Sequence, residues 1–283
     1  MHRSLVKLTT KRGKVLSAFE GDAITQEIQK KGEYDSNILN SLADVLGDIK
    51  PETSLDIGAN IGNHALVIAD YSRHLIAFEP VDFIFQVLKV NVEQNNVKNA
   101  EVVNVGLSDV DQEMEIFIPD NANLGSSSLE VMEGDGQRLK VRTLIGDEYL
   151  AQRQVNQVDF IKMDVEGHEV PALKGLKHTI QQHQPLLLLE YKNKKTLDEF
   201  IEYDLLNNLF SGYTIFSITI TNSRKIHGRG VCGFLRRFYY KYFDRRWVLS
   251  SFFPEKKYSN IYLVPERYLG IFRKYRFIPS SAQ

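Results

Sequence analysis

Apolar and polar positions follow two periodic patterns along this chain. From Thr53 onward, short apolar runs are separated by longer stretches in which apolar residues recur at helical spacing. Ahead of them, residues 22–47 carry apolar side chains at helical spacing and end in Gly47, which predicts a helix. Because strands and helices alternate, the pattern predicts a mostly parallel α/β sheet that is covered by helices on both faces.

The same patterns predict where the individual elements lie. A helix should begin near Asp82, whose carboxylate is suited to cap it. The last two strands have no helix of ordinary pattern between them, so we expect them to pair antiparallel. The predicted strands are 55–57, 75–78, 101–105, 114–118, 158–163, 186–189, 213–220 and 261–264, and the later helices are 63–71, 82–95, 171–183, 196–210 and 231–243.

Composition narrows the class of protein. The chain has 283 residues, of which 43% are hydrophobic and 25% are charged, as in a globular protein with a substantial core. The single cysteine, Cys232, excludes an intrachain disulfide. The N-terminal residues contain no apolar export signal, and no apolar run is long enough to span a bilayer. We therefore expect a soluble, cytoplasmic protein.

Charge is distributed unevenly along the chain. The formal net charge is −1, yet residues 222–283 hold 14 basic and 3 acidic residues, while the remainder holds 21 basic and 33 acidic residues. A basic end attached to an acidic body indicates that the basic end meets an anionic partner.

A glycine-rich turn carries the strongest chemical signal. Residues 54–63, SLDIGANIGN, take a predicted strand through a tight turn into a helix, and glycines there let the backbone approach a ligand. Glu79 ends the next strand, where a carboxylate can accept both hydroxyls of a ribose. The G-x-G-x-x-G pattern of nicotinamide enzymes is missing, and Asp56 suits an ammonium group better than a pyrophosphate. The turn therefore predicts a nucleoside-containing cofactor other than NAD.

Ionisable residues crowd the end of a later core strand. Residues 160–169, FIKMDVEGHE, pass from apolar side chains into four ionisable ones around Gly167. The carboxyl end of a core strand faces the ligand crevice of a doubly wound sheet. Because burying charge is costly, this crowding indicates a functional site. A solvated loop at a helix N-terminus is the alternative interpretation.

The two segments together resemble the FkbM family of methyltransferases. The resemblance covers roughly residues 22–220, with residues 261–265 as the closing strand. The paired patterns D-x-G-A-N-x-G and I-K-x-D-V-E-G-H-E are specific in combination. The matching stretches are Leu55–His64, Ala77–Pro80, Val105–Asp109, Gly125–Leu129, Ile161–Glu169, Lys174–Gly175 and Leu187–Glu190.

The resemblance implies a class I, Rossmann-like methyltransferase fold that uses S-adenosylmethionine. Glu79 would hold the ribose of this cofactor, and Ser108 and Asp109 would flank its adenine. The loop Gly125–Ser128 would lie near the donor or the acceptor, with Ser127 contacting the substrate. The residues expected around the methionine part are Asp56, Gly58, Ala59, Asn60, Gly62, Asn63 and Asp164.

A hydroxyl acceptor must lose its proton when it is methylated. His168 and Glu166 are the candidate bases, and the ordinary pKa of histidine suits this role better. Lys162 and Asp164 should face the same side of their strand and pair, which would keep Asp164 ionised. Asp164 and Glu190 end adjacent strands and could bind Mg²⁺, which is the less favoured alternative because no third carboxylate is evident nearby.

A basic and aromatic segment separates the two final strands. Residues 222–257 hold ten basic, two acidic and nine aromatic residues, too many aromatics for a disordered linker. We expect this segment to bind an anionic acceptor, with membrane docking and homo-oligomer contact as alternatives. No nucleic-acid-binding module is evident, so nucleic acid is not an expected partner. The expected acceptor-binding residues of the segment are Arg236, Arg237, Arg245 and Arg246.

The chain is expected to be an O-methyltransferase in four segments. These are an N-terminal helical cap (1–50), a cofactor-binding core (51–221), the basic insertion (222–257) and a closing strand with a basic tail (258–283). The expected acceptor is a sugar hydroxyl in polysaccharide or glycan biosynthesis. Another small natural product as acceptor, or a non-catalytic cofactor-binding scaffold, are the alternatives. If the insertion docks on a membrane, the enzyme would sit at its inner face.

Overall fold

The strands in the described part of the chain form one large sheet and two small ones. The computed structural model describes residues 4–119, 136–192, 194–222, 230–243 and 246–279. Within these ranges the strands are β1 (Leu5–Thr9), β2 (Val15–Phe19), β3 (Thr53–Ile57), β4 (His74–Phe78), β5 (Ala100–Val103), β6 (Gly106–Ser108), β7 (Gln112–Pro119), β8 (Gly136–Ile145), β9 (Phe160–Met163), β10 (Leu186–Tyr191), β11 (Tyr213–Ile220), β12 (Trp247–Ser251) and β13 (Tyr258–Pro265).

Helices follow most of the core strands. None of those in the described ranges is long and apolar enough to cross a membrane. They are α1 (Ala23–Lys31), α2 (Ser36–Ile49), α3 (Ala65–Tyr71), α4 (Asp82–Gln94), α5 (Gly146–Gln152), α6 (Glu169–Gly175), α7 (Lys177–His183), α8 (Lys194–Glu202), α9 (Leu205–Asn208), α10 (Val231–Phe243) and α11 (Glu266–Phe272).

Two expectations about the early helices need correction. The single helix expected over residues 22–47 is two helices, because Gly32 takes a left-handed conformation and ends α1. Asp82 is not the cap of α4. The cap position is Val81, and the Asp82 carboxylate accepts a hydrogen bond from Gln86 one turn later.

The large sheet has the strand order β12-β11-β13-β10-β9-β3-β4-β5. Neighbours from β5 to β10 pair parallel, whereas β13 is antiparallel to both β10 and β11. The mostly parallel sheet with an antiparallel C-terminal strand is therefore confirmed. The strand β12, which lies within the basic insertion, was not predicted. It pairs with β11 and extends the sheet by one strand.

Both faces of the sheet are covered, and β10 shows why its sequence is continuously apolar. Leu186 and Leu188 point into the core beneath α1 to α4, whereas Leu187 and Leu189 point into the core beneath α5 to α9. Successive side chains of a strand face opposite sides, so a strand between two helical layers needs apolar residues at every position.

The order of the strands places a crevice between β3 and β9. From β3 the chain proceeds outward through β4 to β5, whereas β9 is followed on its other side by β10. The loops after β3 and β9 therefore leave the sheet in opposite directions and open a gap at the carboxyl ends of the strands. Both sequence motifs lie in these two loops.

Two small sheets accompany the large sheet in the described ranges, and neither was predicted as such. The hairpin β1–β2 replaces the beginning of the expected helical cap. Asn91 of α4 fixes it, because its side chain bonds both the amide and the carbonyl of Ser17 and also reaches the carbonyl of Ile61. The second small sheet, β6-β8-β7, lies beside α6 and forms one wall of the crevice.

Candidate functional site

The turn after β3 fits tightly against the loop after β9. Gly58 has a φ of +78°, and a Cβ atom at this position would lie 1.9 Å from the carbonyl oxygen of Asp164. The amides of Gly58 and Ala59 both donate to the carbonyl of Phe78, at 3.0 and 2.9 Å. The ends of β3, β4 and β9 are thereby held together, and only glycine fits at position 58.

Glu79 lies at the end of β4 and is buried. Its two carboxyl oxygens accept hydrogen bonds from the amides of Asn60 and Val81, both at 2.9 Å. Burial raises the pKa of Glu79 to about 7, although both hydrogen bonds act in the opposite direction. Each oxygen retains acceptor capacity, so the carboxyl could still receive the hydroxyls of a ligand.

A first cavity opens beside Glu79. Its lining combines Glu79, Asn60 and the end of the β9 loop with a largely apolar wall that suits a flat heterocycle. The small sheet β6-β8-β7 contributes part of that wall. The lining residues are Ile57, Gly58, Asn60, Glu79, Pro80, Val81, Ile84, Gly106, Leu107, Ile116, Val141, Thr143, Asp164, Val165, Glu166 and His168.

A second cavity adjoins the first and is much more polar. The two share Gly58, Asn60, Asp164 and Glu166, so they meet at the gap between the β3 and β9 loops. The second cavity continues towards the end of β10, the start of β13 and the connection between α1 and α2. Its other lining residues are Ile24, Glu27, Tyr34, Asp35, Ala59, Ile61, Asn63, His64, Lys162, Glu190, Lys192, Ser259 and Asn260.

Lys162 is buried beneath the turn. Its ammonium lies 3.2 Å from Asp56 and 3.8 Å from Asp164, and it donates to the carbonyl of Gly58 at 3.0 Å. Burial lowers the pKa of Lys162, but Asp56 and Asp164 outweigh that effect and raise it. The expected partner was Asp164, whereas Asp56 is nearer. Asp56 is fully buried and is absent from the described lining of both cavities.

Three carboxylates converge where the cavities meet. Asp164, Glu166 and Glu190 each offer an oxygen within 4.8 Å of the others. Glu166 is the third carboxylate that was not evident from the sequence. These oxygens could hold a divalent cation. The ammonium of Lys192 lies among them, 2.5 Å from Glu190 and 3.2 Å from Glu166, so the cluster already contains a positive charge.

Burial and the closeness of the three carboxyl groups raise the pKa of two of them, Glu166 and Glu190. Burial, then the charges of Asp164 and Glu166, raise the pKa of Glu190 far above its usual range, with Lys192 opposing them. Burial and the charge of Asp164 raise the pKa of Glu166 to about 7. A carboxyl group with a pKa near 7 can exchange a proton at neutral pH, which is what a general base requires.

His168 is turned away from this cluster. It is buried, and its Nε2 lies 3.0 Å from the hydroxyl of Ser108. Burial, assisted by Lys195, lowers the pKa of His168 to about 4, so the imidazole is neutral at pH 7 and weakly basic. It lines the first cavity and is not part of the second. Ser108 lies behind the cavity wall, and Asp109 is exposed.

Glu169 completes the loop without facing either cavity. Its buried carboxylate accepts hydrogen bonds from the amides of Val165 and Gly167 and from the hydroxyl of Thr196. These bonds hold the loop in which Glu166 has a φ of +50°. Glu169 thus shapes the site by fixing the backbone that presents Asp164 and Glu166.

The arginines of the insertion lie outside both described cavities. Arg236 is exposed on α10, Arg237 is half-buried on the same helix, and Arg246 is exposed just before β12. Trp247 is buried and donates its indole N–H to Asp44 on α2, so it packs the core. The remaining predicted substrate contacts, Ser127 and Arg245, lie outside the described residues.

The sequence analysis did not predict several residues that line the two cavities. Lys192 follows Glu190 by two positions, and the alternation of strand residues could have placed the two on one side. Thr143 of β8 follows a run of alternating polar and apolar residues, 138–142, which is typical of a strand with one buried face. Tyr34 and Asn260 carry no comparable signal, since the tertiary structure alone brings them to the second cavity.

The fold and the cleft define a class I methyltransferase. This class has a doubly wound sheet with an antiparallel last strand. Its cleft lies at the switch point of the sheet, with an acidic residue after the second core strand, as in this protein. The sequence model of the methyltransferase FkbM domain matches residues 56–211, more than half of the chain. The protein belongs to the FkbM methyltransferase family, a family of methyl-transferring enzymes.

One curated relative is the hexuronic acid methyltransferase AglP of Haloferax volcanii. The two sequences are 29% identical over 126 residues, which cover 44% of this chain and 50% of the relative. The aligned part thus spans about half the length of AglP.

Solved methyltransferases share only a distant likeness. A methyltransferase FkbM from Methylobacillus flagellatus matches with a TM-score of 0.44 and 17% identity over 76% of this chain and 44% of its own. SMU.1697c, a putative methyltransferase from Streptococcus mutans in complex with SAH, matches with a TM-score of 0.40 and 11% identity over 65% of this chain and 85% of its own.

Proposed function

We propose that this protein is an S-adenosylmethionine-dependent O-methyltransferase that acts on a sugar hydroxyl. One observation carries the proposal: an apolar cavity beside Glu79 and a polar cavity beside Glu190 meet at Asp164 and Glu166. A donor in the first cavity and an acceptor in the second would be joined where the ionisable groups lie. Holding two reactants in such an arrangement can lower a barrier by about 7 to 11 kcal/mol.

The first cavity fits the nucleoside part of the cofactor. Glu79 would receive the ribose hydroxyls, and the apolar side chains of Val81, Leu107 and Ile116 would pack against adenine. The carbonyl and amide groups of the turn, brought close by Gly58, would face the methionine part. S-adenosylmethionine supplies a methyl group that its sulfonium already activates. Asp164, at the junction, would stabilise the positive charge of that group.

The second cavity fits a hydroxyl-rich acceptor. Its polar lining offers Tyr34, Asn63 and Asn260 as hydrogen-bonding partners for hydroxyl groups. The relationship to AglP, named as a hexuronic acid methyltransferase, supports a sugar acceptor. An uncharged or acidic monosaccharide unit is therefore the acceptor class that we propose.

Glu166 is the proposed general base, in preference to His168. Glu166 lies at the junction of the cavities with a pKa of about 7, whereas His168 is bonded to Ser108 and has a pKa of about 4. The Glu166 carboxylate would take the hydroxyl proton as the oxygen forms its bond to carbon. Bound S-adenosylmethionine would supply the methyl carbon and would keep the electron pair of the broken carbon–sulfur bond on its sulfur.

The proposal is tested by calorimetry and mass spectrometry. We expect S-adenosylhomocysteine to bind and NAD not to bind. Incubation with S-adenosylmethionine and a panel of hexoses, hexuronic acids and their nucleotide-linked forms should yield a product heavier by one methylene unit. Asp164→Ala should abolish transfer, whereas Glu148→Gln, on the exposed face of α5, should not. Binding of NAD without binding of S-adenosylhomocysteine would overturn the proposal.

A further inference from the structure

The helix α10 exposes a continuous apolar face. Val231, Phe234, Leu235 and Phe238 are 76%, 58%, 60% and 51% exposed. Their spacing of three, four and seven residues places them on one side of the helix. A helix at the surface of a globular protein normally turns such a side towards the core. Among the positions of α10 whose exposure is described, 231–239, Gly233 is the buried one, and it lies about half a turn away, so the apolar side faces outward.

The segment that contains this apolar face is rich in basic residues. Residues 222–257, within which α10 lies, contain ten basic and two acidic residues. Arg236 is exposed on the helix itself, and Arg246 is exposed just beyond it. Phenylalanine and leucine on one side of a helix, with arginine on the other, form the pattern of helices that lie in the boundary between lipid headgroups and acyl chains.

We propose that α10 docks this protein on an anionic membrane surface. Val231, Phe234, Leu235 and Phe238 would enter the boundary region, and the arginines would contact lipid phosphates. A second copy of the chain is the less suitable occupant. In a two-fold dimer the same basic surface would meet itself, and like charges would repel. An anionic membrane surface would bury the apolar side chains of α10 and would also attract its basic residues.

The position of α10 in the chain relates membrane docking to the two cavities. The strand β11, which precedes α10 in the chain, is parallel to β10, since both are antiparallel to β13. The carboxyl ends of β11 and β10 therefore lie at the same edge of the sheet, and β10 ends beside the second cavity. In the chain, α10 lies between β11 and β12, and the end of β11 pairs with the start of β12 at that edge, so docking would bring the membrane to the edge at which the second cavity lies.

The single cysteine of the chain provides a direct test. Cys232 lies on α10 and is exposed, so the full-length protein can be labelled there with an environment-sensitive fluorophore. We expect a blue shift of the emission when vesicles of phosphatidylcholine and phosphatidylglycerol are added. Vesicles of phosphatidylcholine alone should cause little shift, and salt should weaken the response to the anionic vesicles. An unchanged emission with anionic vesicles would overturn the proposal.

Vesicle sedimentation with unlabelled variants tests the apolar face. Phe234→Gln with Leu235→Gln should weaken binding to anionic vesicles by about tenfold or more, because both side chains lose their apolar burial. Ile201→Gln is the matched control, since Ile201 is 58% exposed on α8. Each variant must keep the thermal unfolding and S-adenosylhomocysteine binding of the parent. Equal vesicle binding by the parent and the double variant would show that α10 does not bind the membrane. The same conclusion would follow if the parent is a dimer without lipid and the double variant is a monomer.

Discussion

The carboxyl of Glu79 accepts hydrogen bonds from two backbone amides and still has a pKa of about 7, because burial outweighs those bonds. A ribose hydroxyl is bound more strongly by a carboxylate than by a neutral acid. The charge state of Glu79 should therefore control cofactor affinity near neutral pH.

Affinity for S-adenosylhomocysteine is accordingly predicted to rise with pH. Below pH 7 Glu79 must lose a proton before it binds the ribose, which costs up to about tenfold in affinity per pH unit. Above pH 7 the affinity should level off. Calorimetry between pH 5.5 and about 8.5 would measure this profile. Glu79→Gln should bind more weakly and with a flatter profile, and an equally steep profile in that variant would assign the titration to another group.

The proposed base is predicted to control turnover. Glu166→Gln should lower kcat by about 10²- to 10⁴-fold, because a carboxamide cannot take the acceptor proton. In the unmodified enzyme, kcat should increase with pH through about 7, the pKa of Glu166, and then reach a plateau.

His168 provides the comparison for Glu166. His168→Asn can keep a hydrogen bond to Ser108, so we expect less than about a tenfold loss in kcat and an unchanged pH profile. A large loss in the His168 variant, together with a normal rate in the Glu166 variant, would return the role of base to the histidine.

Methyl transfer is predicted to continue without a divalent metal. Lys192 already places an ammonium against Glu166 and Glu190, which reduces the repulsion that a cation would otherwise relieve. Rates measured in EDTA should equal rates in Mg²⁺. If EDTA abolishes activity and Mg²⁺ restores it, Asp164, Glu166 and Glu190 form a metal site, and Lys192 must move when the ion binds.

At the scale of elements, the site depends on two close approaches between backbones. Gly58 joins the β3 turn to the β9 loop. Gly175, at the end of α6, packs against β6, and a Cβ atom there would lie 1.9 Å from the carbonyl oxygen of Ser108. The second contact holds α6 and its loop against the small sheet that walls the first cavity.

Alanine substitutions at two helical glycines should therefore have opposite effects. Gly175→Ala is predicted to destabilise the protein by about 1–3 kcal/mol or more, because the β6 backbone must shift. Gly270→Ala, in α11, meets no atom within 4 Å and should stabilise by about 0.5–1 kcal/mol through helix propensity. Thermal unfolding compares the two. Equal melting temperatures would mean that α6 can move away from β6 at little cost.

At the scale of the whole molecule, the acidic residues of the two cavities lower the stability of the folded protein as pH rises. Its buried acids prefer the neutral form in the folded protein, whereas they ionise freely in the unfolded chain. The folded state then binds more protons, so these groups favour folding below their unfolded pKa and lose that contribution as pH rises towards their folded pKa. Crowded ionisable groups of this kind are typical of functional sites.

Replacing one of these acids should stabilise the free protein at alkaline pH. Glu190→Gln keeps the shape of the side chain but cannot ionise, so its melting temperature at pH 8 is predicted to exceed that of the parent by a few degrees, about 2–4 °C per kcal/mol. The difference should shrink towards pH 5, because Glu190 of the parent then begins to bind a proton in the unfolded chain as well as in the folded state. A variant that is less stable than the parent at pH 8 would show that the ion pair with Lys192 outweighs the burial of charge.

Much of the fold could be predicted because it depends on local periodicity. The strand expected over residues 213–220 and the helix expected over residues 231–243 have the same bounds as β11 and α10. The hairpin β1–β2 was missed although its two strands pair locally, and the bonds that hold it to the rest of the fold come from α4 side chains far along the sequence, Asn91 among them. Local patterns contain no information about such a partner.

The sequence by itself determined the order of the parallel core strands, the glycine turn, and the acidic residues that end the core strands. These follow from side-chain periodicity and from the rule that parallel strands end at one edge. Only the tertiary structure decided that Lys192 lies among the acids, that Glu166 joins Asp164 and Glu190, and that His168 bonds Ser108. Burial and charge at a given side chain are sums over neighbours from distant parts of the chain, so its pKa is fixed only when the fold brings those neighbours together.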